Sequence, residues 1–364
     1  MKLENQNIII VSHEPWGDIW YSKHNWAFEL SKKNNVFFIN PPSNWKISNL
    51  WNFGVTTESY TKTLQIVNYR SILPFTRWEI IYKIDDFTIS KMINKWLVKR
   101  KITNVIFWTF DPYRFSNPKI FHPSKIIFFR VDKCNVKRIN RESMLLKNCS
   151  HIIVTSAELI KEIKIKCDYL VLSHGIADEE FESNNSVPYE KDYFLYVGNI
   201  DHRLDINLID KMLREFPNER FLFIGKLFKQ DNKLFQAIFY EKKYKNLILH
   251  GVEHFKRLKN YIYYSKACLV PMDLEIHGNA VHHHKSLQYL AMGKPVISPI
   301  FLDAINKEEL LISYKTIDEA IDKINKITGF ENKDMISKRI NFAKQFTYTK
   351  LIIDVENFIF NKVT

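Results

Sequence analysis

His277-Gly-Asn-Ala-Val-His-His-His-Lys-Ser-Leu-Gln-Tyr-Leu-Ala-Met-Gly-Lys-Pro-Val-Ile-Ser-Pro299 is the stretch whose reading decides the fold. It predicts a polar loop, then a helix over about residues 283–292, closed by Gly293 in the left-handed region. Lys294 and Pro295 lead into a short buried strand over 296–298. Lys285 and Gln288 stand one helical turn apart at the helix start. Backbone N–H groups and the positive end of the helix dipole attract phosphate there, and Lys285 adds a full charge. An anion that also carries hydroxyl groups fits this chemistry, and a nucleotide diphosphate sugar is the ligand it implies.

The totals bound the answer. A chain of 364 residues suits two domains rather than one core. With 46% hydrophobic and 26% charged residues the composition is that of a folded protein. Four scattered cysteines without paired spacing signal neither zinc nor a disulfide framework. The run Ile8-Ile-Ile-Val11 reads as a strand rather than a signal peptide, and no apolar run is long enough to span a bilayer. Net charge is +13, and residues 91–147 alone hold 14 Lys and Arg against 3 acids, a surplus of +11. Such a basic third seeks phosphate, on nucleic acid, lipid or a pyrophosphate-linked substrate.

The expected class is α/β, with two doubly wound parallel sheets. In the first half strands are expected at residues 7–12, 36–40, 104–109, 125–131, 151–155 and 170–173. Helices are expected at 21–33, 78–101 and 157–164. The polar stretch 182–192 reads as the linker, so the expected domains are 1–182 and 193–345, with 346–364 a C-terminal helix packing back on the first. In the second half strands at 193–197, 220–224 and 246–250 each end on a glycine, Gly198, Gly225 and Gly251. A glycine at a strand's C-terminal edge marks a sharp turn or a close approach to a ligand. No G-x-G-x-x-G follows either first strand, which disfavours a nicotinamide or flavin dinucleotide.

These residues resemble a known class. Tyr196-Val-Gly-Asn-Ile with Arg203, Phe223-Ile-Gly-Lys226, Leu249-His-Gly251 and Lys285-Ser-Leu-Gln-Tyr-Leu-Ala-Met-Gly-Lys-Pro-Val296 look like the donor half of GT-B glycosyltransferases. That resemblance implies two Rossmann-like domains facing across a cleft, a nucleotide-sugar donor, usually UDP-linked, and no metal or other cofactor. Among bacterial members the chain is similar to polysaccharide and teichuronic-acid-type transferases, and its Lys-x-x-Gln-Tyr spacing to the glucuronosyltransferase of xanthan assembly. Retaining relatives carry Glu where this chain has Gln288, and a second Glu where it has Ala280, so an inverting hexosyl- or glucuronosyltransferase is expected.

Roles follow from the chemistry. Charge develops on the departing β-phosphate, and Lys285 is the first candidate to meet it. Arg203, Lys226 and His284 are further donor contacts; Gln288 suits ribose hydroxyls, and Gly198, Tyr289 and Met272 complete the expected donor set. An inverting transfer needs one general base, for which Asp132 is preferred over Glu14 and Asp111, all three following strands. His13, Trp16 and Arg130 are expected to contact the acceptor. Consecutive helical side chains diverge by roughly 100°, so His282, His283 and His284 are not expected to chelate one metal ion. The aromatic and basic segments around Trp45, Trp51, residues 73–78 and 96–101 suggest an anionic membrane surface. The expected setting is therefore cytoplasmic, peripheral at the inner face of the plasma membrane, with a polyprenyl-pyrophosphate-linked saccharide as acceptor. Retaining transfer, a non-catalytic sugar-binding module and nucleic-acid binding are the alternatives, the last lacking RNA-type aromatic motifs, so no nucleic-acid partner is expected.

Overall fold

The structure, a computed structural model, describes residues 3–43, 45–47, 54–74, 78–132, 139–161, 163–182, 191–277, 285–301, 310–327 and 332–360. The chain forms two compact units, 1–173 with 348–364, and 174–347.

The first unit contains β1 (Asn7–Val11), α1 (Ser22–Ser31), β2 (Asn35–Ile39), β3 (Thr56–Ser59), β4 (Leu64–Asn68) and α2 (Glu79–Lys99). It continues through β5 (Val105–Thr109), β6 (Lys125–Arg130), α3 (Ile139–Leu146), β7 (His151–Val154), α4 (Glu158–Lys161) and β8 (Tyr169–Val171). The sheet order is β3-β4-β2-β1-β5-β6-β7-β8, and every pairing is parallel except β3 with β4. Ile8 to Val11 and Val105 to Trp108 are buried, as central strands covered on both faces require. The β3 edge, Thr-Thr-Glu-Ser, is polar and mostly exposed, which suits an unpaired border.

The second unit contains β9 (Tyr193–Val197), α5 (Ile206–Glu215), β10 (Arg220–Ile224), α6 (Lys233–Phe239), β11 (Leu247–Gly251), α7 (Phe255–Tyr264) and β12 (Ala267–Leu269). Then follow α8 (Leu274–His277), α9 (Lys285–Ala291), β13 (Val296–Pro299), β14 (Ile312–Tyr314), α10 (Ile317–Asn325) and α11 (Lys333–Ala343). Its order, β11-β10-β9-β12-β13-β14, is parallel throughout and reverses direction between β9 and β12. Ligands of such sheets bind outside the strand C-termini at that reversal. The chain then returns to the first unit as α12 (Tyr348–Phe360), where Tyr348 packs edge-on against Trp26 at 5.3 Å.

The boundary falls at Ser173, ahead of the polar stretch that begins at residue 182. The reason is local pairing: Ile176 N–H donates to Phe346 O at 2.9 Å, and Ile176 is fully buried within the second unit. Among the described residues no helix is long and apolar enough to cross a membrane.

Gly198, Gly225 and Gly251 end three adjacent strands. Gly225 N–H donates to Gly251 O at 2.7 Å and Gly198 N–H to Ile224 O at 2.9 Å. A Cβ on Gly225 would sit 1.8 Å from the Gly198 carbonyl oxygen, so one glycine turn is wedged against the next. Gly225→Ala is therefore expected to cost about 3 kcal/mol or more, because backbone must move. Gly54→Ala, where nothing lies within 4 Å, should stay within about 0.5 kcal/mol. Chemical denaturation of both variants checks this.

Candidate functional site

In the second unit the C-terminal sheet edge and the start of α9 hold most of the donor-site candidates. α9 is held through its C-terminal half. Tyr289 is fully buried, and its hydroxyl accepts the Val197 N–H at 2.9 Å, at the last residue of β9. Just beyond the helix Gly293 adopts φ +70 and Lys294 N–H donates to Tyr289 O at 3.0 Å, the αL ending the sequence predicts. The buried Arg339 donates to Gly293 O at 3.1 Å.

At the start of α9 three polar side chains converge with a fourth that the sequence reading missed. Gln288 Nε2 donates to Glu180 Oε2. Glu180 arrives from a single 3-10 turn, Asp178–Phe181, and also accepts from Ala177 N–H. Burial raises the Glu180 carboxyl above the usual carboxylate range, against the pull of Gln288 and the Lys285 ammonium. Burial likewise lowers Lys285, and the Glu180 charge opposes that lowering. Gln288 Oε1 and the Ser286 hydroxyl are buried and lack a hydrogen-bond partner among the described residues. Unpaired buried polar atoms are costly, and two of them stand here beside the half-buried Lys285.

The other donor candidates divide. Gly198 lies at the sheet reversal, as its strand-end position implies. Lys226 is exposed, with its ammonium 4.9 Å from the Phe228 ring centre. Arg203 is engaged: its guanidinium grips Asp201 bidentately, at 2.9 and 2.7 Å. Tyr289 and Met272 are engaged within the fold. The Tyr289 hydroxyl serves the β9 backbone, and Met272 is buried where its backbone pairs with Leu204. His284 and the rest of His282–His284 lie outside the described residues. Among the described residues no three His, Cys, Asp or Glu side chains gather as a metal site.

In the first unit the strand ends carry a dense polar network, which consumes most candidate acceptor groups. Asp111 is buried; its carboxylate takes the Arg114 Nε–H at 2.6 Å and the Tyr113 N–H at 2.8 Å. Arg114 also donates to Asn40 O at 2.9 Å, to the Tyr69 hydroxyl at 2.7 Å and to Ser12 O, tying the ends of β1, β2, β4 and β5. Asp111 is thus engaged as a structural anchor. Arg130 is engaged in the same way: it is buried, donating to Glu142 at 2.8 Å and to Leu159 O at 2.7 Å.

Glu14 is paired as well. Its Oε1 lies 3.0 Å from His13 Nε2, and its Oε2 pairs with the buried Lys23 ammonium. Burial alone would raise the Glu14 carboxyl, but the His13 hydrogen bond and the Lys23 charge outweigh it and bring it down to about 2. Such a carboxylate is a poor proton acceptor. His24 holds the same loop: Nδ1 accepts the Tyr21 N–H at 3.0 Å and Nε2 lies 3.0 Å from Pro15 O. Burial lowers it to about 4, so it is neutral at pH 7. Trp16 is half-buried and packs edge-on against Trp20, Phe38 and Tyr60, so most of its ring serves the loop. His13 is exposed at the edge. Asp132 is exposed just past β6 and makes no ion pair among the described residues.

The depressed Glu14 carboxyl has a signed consequence. A folded value near 2 against 4.5 adds stability above pH 4.5 that is lost as pH falls towards 2. Glu14→Gln is expected to be less stable than the parent at pH 7, with the gap narrowing between pH 4.5 and 2. Denaturation measured across that range checks the sign.

No protein-family model matches the sequence, and no curated protein matches it either. Solved structures do. The chain is similar to the sucrose-phosphate synthase from Thermosynechococcus elongatus, with TM-score 0.74 and 13% identity over 97% of this chain and 98% of that one. It is similar to a UDP-forming α,α-trehalose-phosphate synthase from Burkholderia xenovorans in complex with glucose-6-phosphate, with TM-score 0.69 and 9% identity over 98% and 99%. It also resembles the lipopolysaccharide outer core galactosyltransferase WaaB, with TM-score 0.58 and 14% identity over 98% and 100%. The chain has the GT-B fold along nearly its whole length.

Proposed function

We propose that the chain is a glycosyltransferase that takes a sugar from a nucleotide diphosphate sugar, UDP-linked by preference. One observation carries this reading: at the sheet reversal of a GT-B donor unit, Lys285 stands beside the unpaired buried atoms of Ser286 and Gln288. Lys285 meets the charge that develops on the departing phosphate. Gln288 Oε1 is an acceptor suited to a sugar hydroxyl. The similar structures, a UDP-forming synthase and a galactosyltransferase among them, accord with this chemistry.

Within that reading Asp132 is the general base that takes the acceptor hydroxyl's proton, and transfer is inverting. Its support is elimination: Asp111 is bound to Arg114, and Glu14 is held near 2 by His13 and Lys23. The acceptor is a saccharide on a polyprenyl pyrophosphate, in surface polysaccharide synthesis at the cytoplasmic leaflet. The +11 surplus over residues 91–147 suits its pyrophosphate. The closer kinship is with the polysaccharide and teichuronic-acid-type transferases, and the transfer needs no metal. A second reading, retention, draws on Glu180, which brings a carboxylate to the Gln288 position where retaining relatives carry Glu. The anomeric configuration of the product decides between them.

UDP is expected to raise the melting temperature, with stabilisation of about 2.7 kcal/mol at roughly 100 times Kd. Lys285→Ala should remove that rise and lower kcat by about 10²–10³-fold. No shift with any nucleoside diphosphate would reject the donor site. Asp132→Asn should keep the UDP-induced shift and lower turnover by about 10²–10⁴-fold, and unchanged turnover would reassign the base.

A further inference from the structure

The helix α2 is built for two surroundings. Its inner face buries Tyr82, Ile89, Ile93, Trp96 and Leu97. Trp96 therefore belongs to the core, under the Arg100 guanidinium at 4.5 Å, and not to an interfacial surface. The outer face is different. Ile80, Ile84 and Phe87, spaced i, i+4, i+7, are 76%, 53% and 53% exposed, and Trp78 at the helix start is 59% exposed. Large apolar side chains standing singly in water are ordinary, but four together on one helix end are not.

Charge narrows the occupant. Lys83, Lys91, Lys95 and Lys99 are exposed along the same helix. Its acids face elsewhere. Asp85 accepts the Ile72 and Leu73 N–H groups at 2.8 Å each, Asp86 accepts the Phe115 N–H at 2.6 Å, and Glu79 pairs with Arg141 at 3.2 Å. Glu79, its side chain 41% exposed, is offset by Arg141, so the net outward charge of α2 is positive. A second copy of the chain laid on this face would set lysine rows against lysine rows, which is repulsive. An anionic surface that also offers an apolar layer matches both halves of the pattern.

We infer that the outer face of α2 docks on an anionic lipid bilayer. Trp78, Ile80, Ile84 and Phe87 enter the boundary between headgroups and acyl chains, and Lys91 and Lys95 meet lipid phosphates. Trp45, itself partly exposed, extends the aromatic edge: its indole N–H donates to Ile72 O at 3.2 Å, in the segment that Asp85 pins to α2. This inference stands apart from the transferase reading, since vesicle binding needs neither donor nor acceptor.

The experiment is co-sedimentation of the full chain with phosphatidylcholine vesicles, with and without phosphatidylglycerol. The expected result is binding that requires phosphatidylglycerol and weakens with salt. Lys91→Ala with Lys95→Ala should bind about 30-fold more weakly, the combined surface contribution of two lysines. Ile84→Asp with Phe87→Asp should lose binding while its melting temperature stays that of the parent, because both side chains are exposed. Ile353→Asp, an exposed apolar position on α12, should bind as the parent does. Failure of the parent to bind anionic vesicles, or full binding by the Ile84/Phe87 double variant, overturns the inference. A concentration-dependent dimer in sedimentation velocity that Phe87→Asp breaks would assign the face to a second copy, and would overturn it too.

Discussion

A single buried hydrogen bond sets the geometry of the second unit: the Tyr289 hydroxyl accepts the Val197 N–H at 2.9 Å. Val197 is the last residue of the central strand, and its amide would otherwise be an unpaired donor in an apolar core. The bond ties α9 to the strand end where the sheet reverses, and Arg339 and the Gly293 turn fix the same C-terminal half of the helix. Lys285, Ser286 and Gln288 inherit their positions from that fixed axis. The wedge of Gly225 against the Gly198 carbonyl completes the rim, since only a residue without Cβ lets the two turns approach so closely.

The first unit solves a different problem. Its strand ends are crowded with backbone carbonyls and carboxylates, and Arg114 binds four of its neighbours at once. Lys23 does comparable work beneath the His13-Glu14 loop. Cations that are spent in this way stabilise the loops and leave little free charge at the edge. Asp132, exposed and without an ion pair among the described residues, stands outside this network, whereas His13 belongs to it through Glu14.

Much of this was legible in the sequence. Runs such as Ile8 to Val11 and Phe221 to Ile224 are buried on both faces, which produces apolar blocks instead of alternation and points to parallel sheets. The three strand-then-glycine junctions and the Gly293 ending are local backbone signals, and local signals survive without a structure. The β3-β4 hairpin was invisible because Thr56 to Ser59 is a polar edge strand with no apolar period. Side-chain partnership was the hardest to read. Glu180 meets Gln288 across 108 residues, and Arg114 meets Ser12 across 102, so spacing cannot reveal either. An acidic run, Asp178 to Glu180, in a chain of net charge +13 was the one available hint. Asp111, Arg130, Tyr289 and Met272 show the same limit: each residue type suits a ligand, and the burial of each in the fold is set by partners that spacing does not show.

The central claim is that the nucleotide half of the donor is held at the start of α9, beside the glycine turns of β9 and β10. Amide hydrogen exchange with and without UDP tests it most directly, because it maps where protection arises. The account predicts slowed exchange concentrated in residues 285–291 and around Gly198 and Gly225. Protection confined to the first unit, or none anywhere at saturating UDP, would contradict it.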